Sequence, residues 1–467
     1  MEQNRAYWKG FLPYGLAAFL IGFTGGFSAV LGPAFVQDMG IGYQNTTWTA
    51  LAQAMSTAAC APVLGRLGDV FGRKVTLLLG IAVFTLGNIL TAAASSLPVM
   101  LAARFVVGIG TAAIAPVILA YIVTEFPQDA AAKGFSMYML ISSGSVIFGP
   151  TLGSLIIASF GWRAMVWVCT AICAVIFLAC LASVGRIDVQ RKPLKGFDTA
   201  GAIFVLLFFS LVLCIPSFGQ NFGWGSAAFL GVLAAAAVCL VGLVLAERKA
   251  EYAILPGSFM KRRGFVLSIL ALFLTQGLMQ ANMTNTIVFV NHTQPGNSVV
   301  SGYAISVMYL GMALGAVLLG PLADRFEPKA VLTGSLVLTG LGCAMQFFFS
   351  EGTPPVLLMA SLGILGFGLG ANGTILMKVA LFGLNAAQAG AGTGTYGLFR
   401  DLAAPFGVAV FVPLFTNQIT ARTAAGVGEA AAAVSAVHSL AAAELICVAV
   451  GIGAVLMLPA IRRKSAA

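Results

Sequence analysis

Two arginines occupy places where water is scarce. Arg104, in LAARFVVGIGTAA, and Arg400, in GTGTYGLFRDLAAPFG, each lie in an apolar run long enough to cross a bilayer. A charge at the centre of a spanning helix costs about 2.5 to 3.5 kcal/mol on insertion scales, so such residues persist mainly where they have a task. On helical spacing Arg104 shares a face with Gly108 and Thr111, and Arg400 shares one with Tyr396. Either cation can bind an anionic substrate or brace a neighbouring helix. Asp401 points roughly 100° away from Arg400 around the helix. It can carry a proton, pair with an arginine across the bundle, or sit near the end of its span. Glu125, Lys378 and Glu444 fall close to predicted span ends and read as interfacial. A third feature is FLTQGLMQANMTN, which is unusually polar for a lipid-facing segment. Gln276, Gln280 and Thr284 recur on one face of it, suited to hydrogen bonding between helices or, on the preferred reading, to lining a cavity.

Other reactive constellations are not expected. His292 and His438 fall in predicted outer loops, so no reactive cluster forms at a membrane face and an enzyme is not expected. Cys60, Cys169, Cys173, Cys180, Cys214, Cys239, Cys343 and Cys447 all lie inside predicted spans without paired or metal-like spacing. They read as small packing residues, and no disulfide scaffold, metal or cofactor is predicted.

The elements that must position these residues follow from composition. Of 467 residues 59% are hydrophobic and only 9% charged, against about a quarter charged in a soluble domain. Such a chain cannot cover itself with a polar surface. Apolar runs of roughly 20 residues, the length that crosses a bilayer, recur about fourteen times. Their centres are near Ile21, Ser56, Phe84, Ile114, Ile147, Ile172, Leu207, Ala236, Gln276, Met312, Leu338, Phe367, Val408 and Val450. Lipid offers no partner to backbone amides, which leaves helices or closed barrels. The runs are continuous rather than alternating, which selects helices. The first run follows Arg5 and Lys9 and is too long for a cleaved signal peptide.

The net charge of +10 is distributed as a membrane protein distributes it, and no nucleic-acid partner is expected. With the amino terminus inside, alternate loops collect Arg5, Lys9, Arg66, Arg73, Lys74, Lys133, Arg186, Arg191, Lys192, Lys195, Arg248, Lys249, Lys261, Arg262, Arg263, Arg325, Lys329 and Arg462 to Lys464, whereas the opposite loops hold Arg163 and Arg422. The positive-inside rule then places both termini in the cytoplasm and makes the span count even.

The loop GRLGDVFGRKVTLL carries Gly65, Gly68, Asp69, Gly72, Arg73 and Lys74. It resembles the signature loop of the major facilitator superfamily: a glycine, an aspartate and a basic pair between two helices. A weaker copy, GPLADRFEPK from Gly320, keeps Asp324 and Arg325 but has Glu327 and Pro328 where a glycine and a basic residue would fall. LAARFVVGIGTAA resembles the family's fourth-helix motif through Arg104, Gly108 and Gly110, and GSVIFGPTLGSL its fifth-helix motif through Gly149, Pro150 and Gly153.

The resemblance spans essentially the whole chain. It implies an all-α membrane protein with a six-helix bundle at 1–190, a linker with two additional central spans at 191–255, and a second six-helix bundle at 256–467. Similar insertions mark the fourteen-helix branch, where many drug and proton antiporters belong. The resemblance also implies that the helix carrying Gln276 faces a central cavity, and that Asp69 latches the bundles by bonding Arg73 or a helix amino terminus. A merely solvated loop is the plainer reading of the same residues. The glycines and Pro150 are commonest in antiporters, although tight packing explains them equally well.

Cation exporters of this branch resemble one another in placing an acid ahead of a proline in the first span. Here GFTGGFSAVLGP has Thr24 about where the acid would sit and retains Pro33. Buried arginines favour an anionic substrate, while 34 phenylalanines and 16 methionines favour an apolar body. The stretches AVLGPAFV, IPSFGQNFGW, LTQGLMQANMTN and GTGTYGLFRDLAAPFGVAVFVP are similar to bile-acid transporters of the type encoded in bile-acid-inducible operons. That similarity implies proton-coupled uptake of a steroid carboxylate by alternating access, by a monomer in a bacterial cytoplasmic membrane. Drug or metabolite efflux by proton antiport is the alternative.

The charge asymmetry is directly testable. Tags at the two ends are expected to be reachable only from the cytoplasmic side of intact cells; tags on opposite sides would contradict this topology.

Overall fold

The computed structural model describes residues 2–40, 48–57, 60, 64, 72–183, 199–249, 257–295, 297, 299–382 and 386–459. Among them the secondary structure is helical throughout, with no strand. Contacts divide the chain into two compact units, Met1–Ser210 and Leu211–Ala467.

The first unit contains α1 (Glu2–Met39), α2 (residues 48–57), α3 (Arg73–Ala93), α4 (Leu97–Glu125), α5 (Gln128–Phe160) and α6 (Trp162–Ser183). α7 (Thr199–Phe222) crosses the division. The second unit continues with α8 (Ala227–Lys249), α9 (Gly257–Met260), α10 (Arg263–Thr293), α11 (Val299–Leu319), α12 (Leu322–Arg325) and α13 (Pro328–Met345). A 3-10 turn (Gln346–Phe348) then leads to α14 (Pro355–Leu369), α15 (Asn372–Leu381), α16 (Ala386–Ala424) and α17 (Glu429–Leu456).

Twelve apolar segments among the described residues are helical and long enough to cross a membrane, one of them running through both α14 and α15. They coincide with twelve of the predicted centres. The centre at Leu207 falls in a shorter apolar stretch of α7, Ile203–Pro216. The centre at Ser56 falls in α2, beyond which the predicted span runs partly outside the described residues.

One pairing plan occurs twice. In the first unit α1 packs along α5, α3 along α4 and α6, and α6 against α1 and α5. In the second α10 packs along α16, α13 along α14 and α17, and α17 against α10 and α16. Helices in lipid gain little from hiding apolar surface from one another, so close backbone approach through small residues supplies much of the attraction.

Glycines supply that approach at matching places. A Cβ added at Gly149 of α5 would stand 2.7 Å from Phe27 N and 2.8 Å from Gly26 Cα of α1, and one added at Gly153 would stand 2.9 Å from Phe27 Cβ. Pro150 has no amide to give Val146 O, and that carbonyl faces Gly26, where a side chain would exclude it. In the second unit a Cβ on Gly277 of α10 would lie 3.2 Å from Gly407 Cα of α16.

Gly149→Ala is therefore expected to destabilise the protein by about 1 to 3 kcal/mol, the usual cost of overpacking, seen as a lower unfolding temperature in detergent. Gly144→Ala, where a Cβ meets nothing within 4 Å, is expected to be neutral or slightly stabilising. Equal effects of the two substitutions would contradict the packing assignment.

Candidate functional site

In the first unit the chemistry centres on Arg104. Its side chain is buried, with a relative exposure of 5%. Nη1 donates to Gln53 Oε1 of α2 across a long 3.4 Å, and the guanidinium lies 5.4 Å from the centre of the Phe35 ring. Nε has no hydrogen-bond partner, and no acid among the described residues pairs with the side chain. One turn further along α4, Gly108 lets α2 approach so closely that an added Cβ would collide with Gln53 O and Ser56 Oγ. Thr57 Oγ1 donates to Gly108 O at 3.1 Å, which fixes the two helices in register. Thr111 uses its hydroxyl on its own helix, donating to Val107 O at 3.0 Å. Thr24 is buried and donates to Leu20 O at 2.8 Å.

The ends of this unit are tied by charges. Gly65, Gly68 and Asp69 lie outside the described residues. Gly72 precedes α3 with φ of 91°, a left-handed conformation that favours glycine. Arg73 follows and pairs with Glu125 at 3.1 Å, while Lys74 donates to Leu181 O at 3.0 Å. Arg73 stands at a helix amino terminus and Glu125 at a carboxyl terminus, the ends their own helix dipoles disfavour. Their value therefore lies in joining α3 to α4. At the opposite ends of these helices Arg163 pairs with Asp38, donates to Ala94 O at 3.1 Å and lies 4.3 Å over the Trp162 ring. In the second copy of the loop, Arg325 ends α12 and is exposed; the side chain of Asp324 lies outside the description.

The second unit holds a buried polar cluster. Asn282 of α10 donates from Nδ2 to Glu444 Oε1 of α17 at 2.7 Å. Gln346 Nε2, from the 3-10 turn, donates to Asn282 Oδ1 at 2.6 Å and lies 3.4 Å from Glu444 Oε2. Relative exposures are 0% for Glu444, 2% for Asn282 and 4% for Gln346. This corrects the interfacial reading of Glu444: α17 begins at Glu429, earlier than the apolar run alone suggests, so the acid lies midway along the helix. The histidines also lie in helices rather than in loops. His292 is in the last turn of α10, 3.4 Å from Glu429, and His438 is inside α17 with Nε2 3.0 Å from Phe349 O, so neither is in a loop.

Gln276, Gln280 and Thr284 are half-buried on α10, and Thr284 Oγ1 donates to Gln280 O at 3.3 Å. Tyr396 is buried and donates to Gly373 O at 3.0 Å, while Arg400, one turn on, is exposed. Asp401 belongs to α16, and its side chain lies outside the description. Lys378 is exposed near the end of α15. The site residues thus gather around three places: Arg104 with α2, the half-buried α10 stripe, and the Tyr396 turn. The sequence reading missed Gln346 and the joining of Asn282 to Glu444. The signal for half of that cluster was present, since Asn282 belongs to the polar stretch already singled out.

Residues 14–291 match the family described as Major Facilitator Superfamily, and the chain belongs to that superfamily. Multidrug resistance protein 3 of Bacillus subtilis is 24% identical over 386 residues, covering 82% of this chain and 75% of the relative. Multidrug resistance protein Stp of Mycobacterium tuberculosis is 25% identical over 421 residues, covering 90% of this chain and 78% of the relative. Among solved structures, the nucleoside transporter NupG superposes with a TM-score of 0.67 at 13% identity, over 95% of this chain and 99% of that one. The POT family transporter PepTSo gives 0.65 at 15% identity, over 96% and 99%. The protein is thus a multi-pass membrane transporter of the major facilitator fold.

The polar cluster generates its own test. Asn282→Ala removes the short bonds to Glu444 Oε1 and from Gln346 Nε2, leaving Gln346 Nε2 only its 3.4 Å bond to Glu444 Oε2, and a buried group left unmet costs about 1 to 3 kcal/mol. The expected outcome is a clear fall in unfolding temperature in detergent; an unchanged value would show that these contacts carry no stability.

Proposed function

We propose that the protein is a proton-coupled carrier that takes up an amphipathic organic anion, a bile acid, by alternating access. The observation that carries this reading is Arg104, a buried cation whose Nε is unpartnered and whose one hydrogen bond is long, among the described residues. A buried guanidinium with spare donors suits a carboxylate, which accepts two parallel bonds from it. Phe35 beside it suits an apolar body. In the second unit the half-buried Gln276, Gln280 and Thr284 are a separate candidate for hydrogen bonding to hydroxyls. Arg400 and Asp401 on α16 are the second candidates for anion binding and coupling. On this reading the Asp69 loop and its copy at Asp324 and Arg325 latch the carrier. The chain has fourteen spans with both ends cytoplasmic, bundles at 1–190 and 256–467 and a two-span linker at 191–255, and acts as a monomer in the bacterial inner membrane.

The printed names of the relatives favour a second reading, multidrug efflux by proton antiport. Thr24 in place of an acid in the first span weighs against cationic drugs.

Uptake of labelled cholate by cells expressing the protein, with and without a protonophore, separates the two. Protonophore-sensitive accumulation is expected; drug resistance without cholate uptake would favour efflux. Arg104→Ala and Arg400→Ala are each expected to remain folded and inserted but to impair uptake. Normal uptake by both variants would remove the anion site.

A further inference from the structure

We propose that Glu444 is a proton-binding site of the carrier, and that its gain and loss of a proton is transmitted to α10 through Gln346 and Asn282. The proposal rests on the proton-coupled reading above and assigns the proton an address in the second unit.

Among the acids whose side chains are described, Glu444 is the one that the fold buries, and an ionisable residue inside a membrane span is costly enough to mark a relay or pathway by default. Its neighbours are neutral. α10 presents the Asn282 amide, the 3-10 turn presents the Gln346 amide, and the titratable groups facing it are the thiols of Cys343 on α13 and Cys447 on α17 itself. No cation pairs with it among the described residues. A purely structural carboxylate at this depth would be expected to carry an arginine or lysine, since an uncompensated buried charge is strongly destabilising.

The hydrogen bonds show how a proton would be felt. Oε1 is held by Asn282 at 2.7 Å, whereas Oε2 has the long 3.4 Å contact to Gln346 Nε2. Cys343 also hydrogen-bonds the carboxylate, and Oε2, held by the longer of the two amide bonds, is the oxygen to which the proton is assigned. Binding converts the carboxylate to a carboxylic acid, its charge going from −1 to 0: one O–H bond forms on Glu444 and one breaks in the hydronium that delivers the proton, which leaves as water. Oε2 then becomes a donor facing another donor, Gln346 Nε2. The conflict is relieved when the Gln346 amide rotates to offer its carbonyl, and that rotation gives up the 2.6 Å bond from Nε2 to Asn282 Oδ1. Asn282 is two residues from Gln280, so it lies about 200° around α10 from the Gln276, Gln280 and Thr284 stripe. One helix therefore carries the polar stripe on one side and the proton-sensitive contact on the other. Asn282 then keeps its bond to Glu444 Oε1 but loses the one from the 3-10 turn, which changes how α10 is held and with it the stripe on its other side.

Glu444→Gln tests this, because glutamine imitates the protonated acid and keeps the packing. In proteoliposomes the variant is expected to lose accumulation of labelled cholate driven by an imposed proton gradient, together with the pH dependence of the rate, while exchanging cholate at equal pH on both sides as fast as wild type. Gradient-driven accumulation equal to wild type overturns the assignment, and so does loss of exchange along with accumulation, which a structural role would produce. Wild type that exchanges cholate but ignores the gradient overturns the proton-coupled reading itself. A second measurement needs neither variant nor substrate. pH-difference infrared spectroscopy of the wild-type protein is expected to show the C=O stretch of a buried protonated carboxyl, lost reversibly as pH rises; absence of that band at every pH overturns the proposal.

Discussion

Lipid cannot accept or donate a hydrogen bond, and that constraint governs every other feature of this chain. It forces the backbone into helices, whose amides satisfy one another. It then allows few polar side chains inside the spans, and those present must find partners within the protein. Hydroxyls largely satisfy this by folding back on their own helix, as Thr24, Thr91, Thr275 and Thr339 do. Groups too long or too charged for that solution must reach another helix, which is why Arg104 meets Gln53 and Glu444 meets Asn282.

The same constraint shapes the packing. Since burial in lipid brings little net gain, helices are joined by backbone contact at glycines and by a few polar links at their ends. Gly149 against Phe27 and Gly277 against Gly407 serve corresponding helix pairs in the two units. Arg73 with Glu125 and Arg163 with Asp38 tie opposite ends of the first unit. The interior polar groups differ in kind. They are buried, and they differ from one another: Arg104 keeps an unpartnered Nε, whereas Glu444, Asn282 and Gln346 satisfy one another.

Much of this was legible in the sequence because hydropathy and helical period are local properties. Twelve of the predicted span centres coincide with apolar helical segments, and the glycine motif around Gly149 lies where α5 meets α1. What sequence could not supply was long-range partnership. Glu444 looks interfacial when only the apolar run around it is read, because the alanine-rich first half of α17 is weakly apolar. Its partners stand 162 and 98 residues away, at Asn282 and Gln346. Periodicity identified the stripe of Gln276, Gln280 and Thr284 but gave no reason to look at the other side of α10. Glu125 was legible as an end residue, though only the fold assigns it to Arg73.

The central claim is that these buried polar groups belong to a carrier for an amphipathic organic anion. Counterflow tests it most directly: purified protein is placed in vesicles loaded with unlabelled cholate, and labelled cholate is added outside with no ion gradient. A carrier predicts transient accumulation of label above equilibrium, abolished by omitting the internal cholate. Entry of label that never exceeds equilibrium, or no entry at all, would contradict the account.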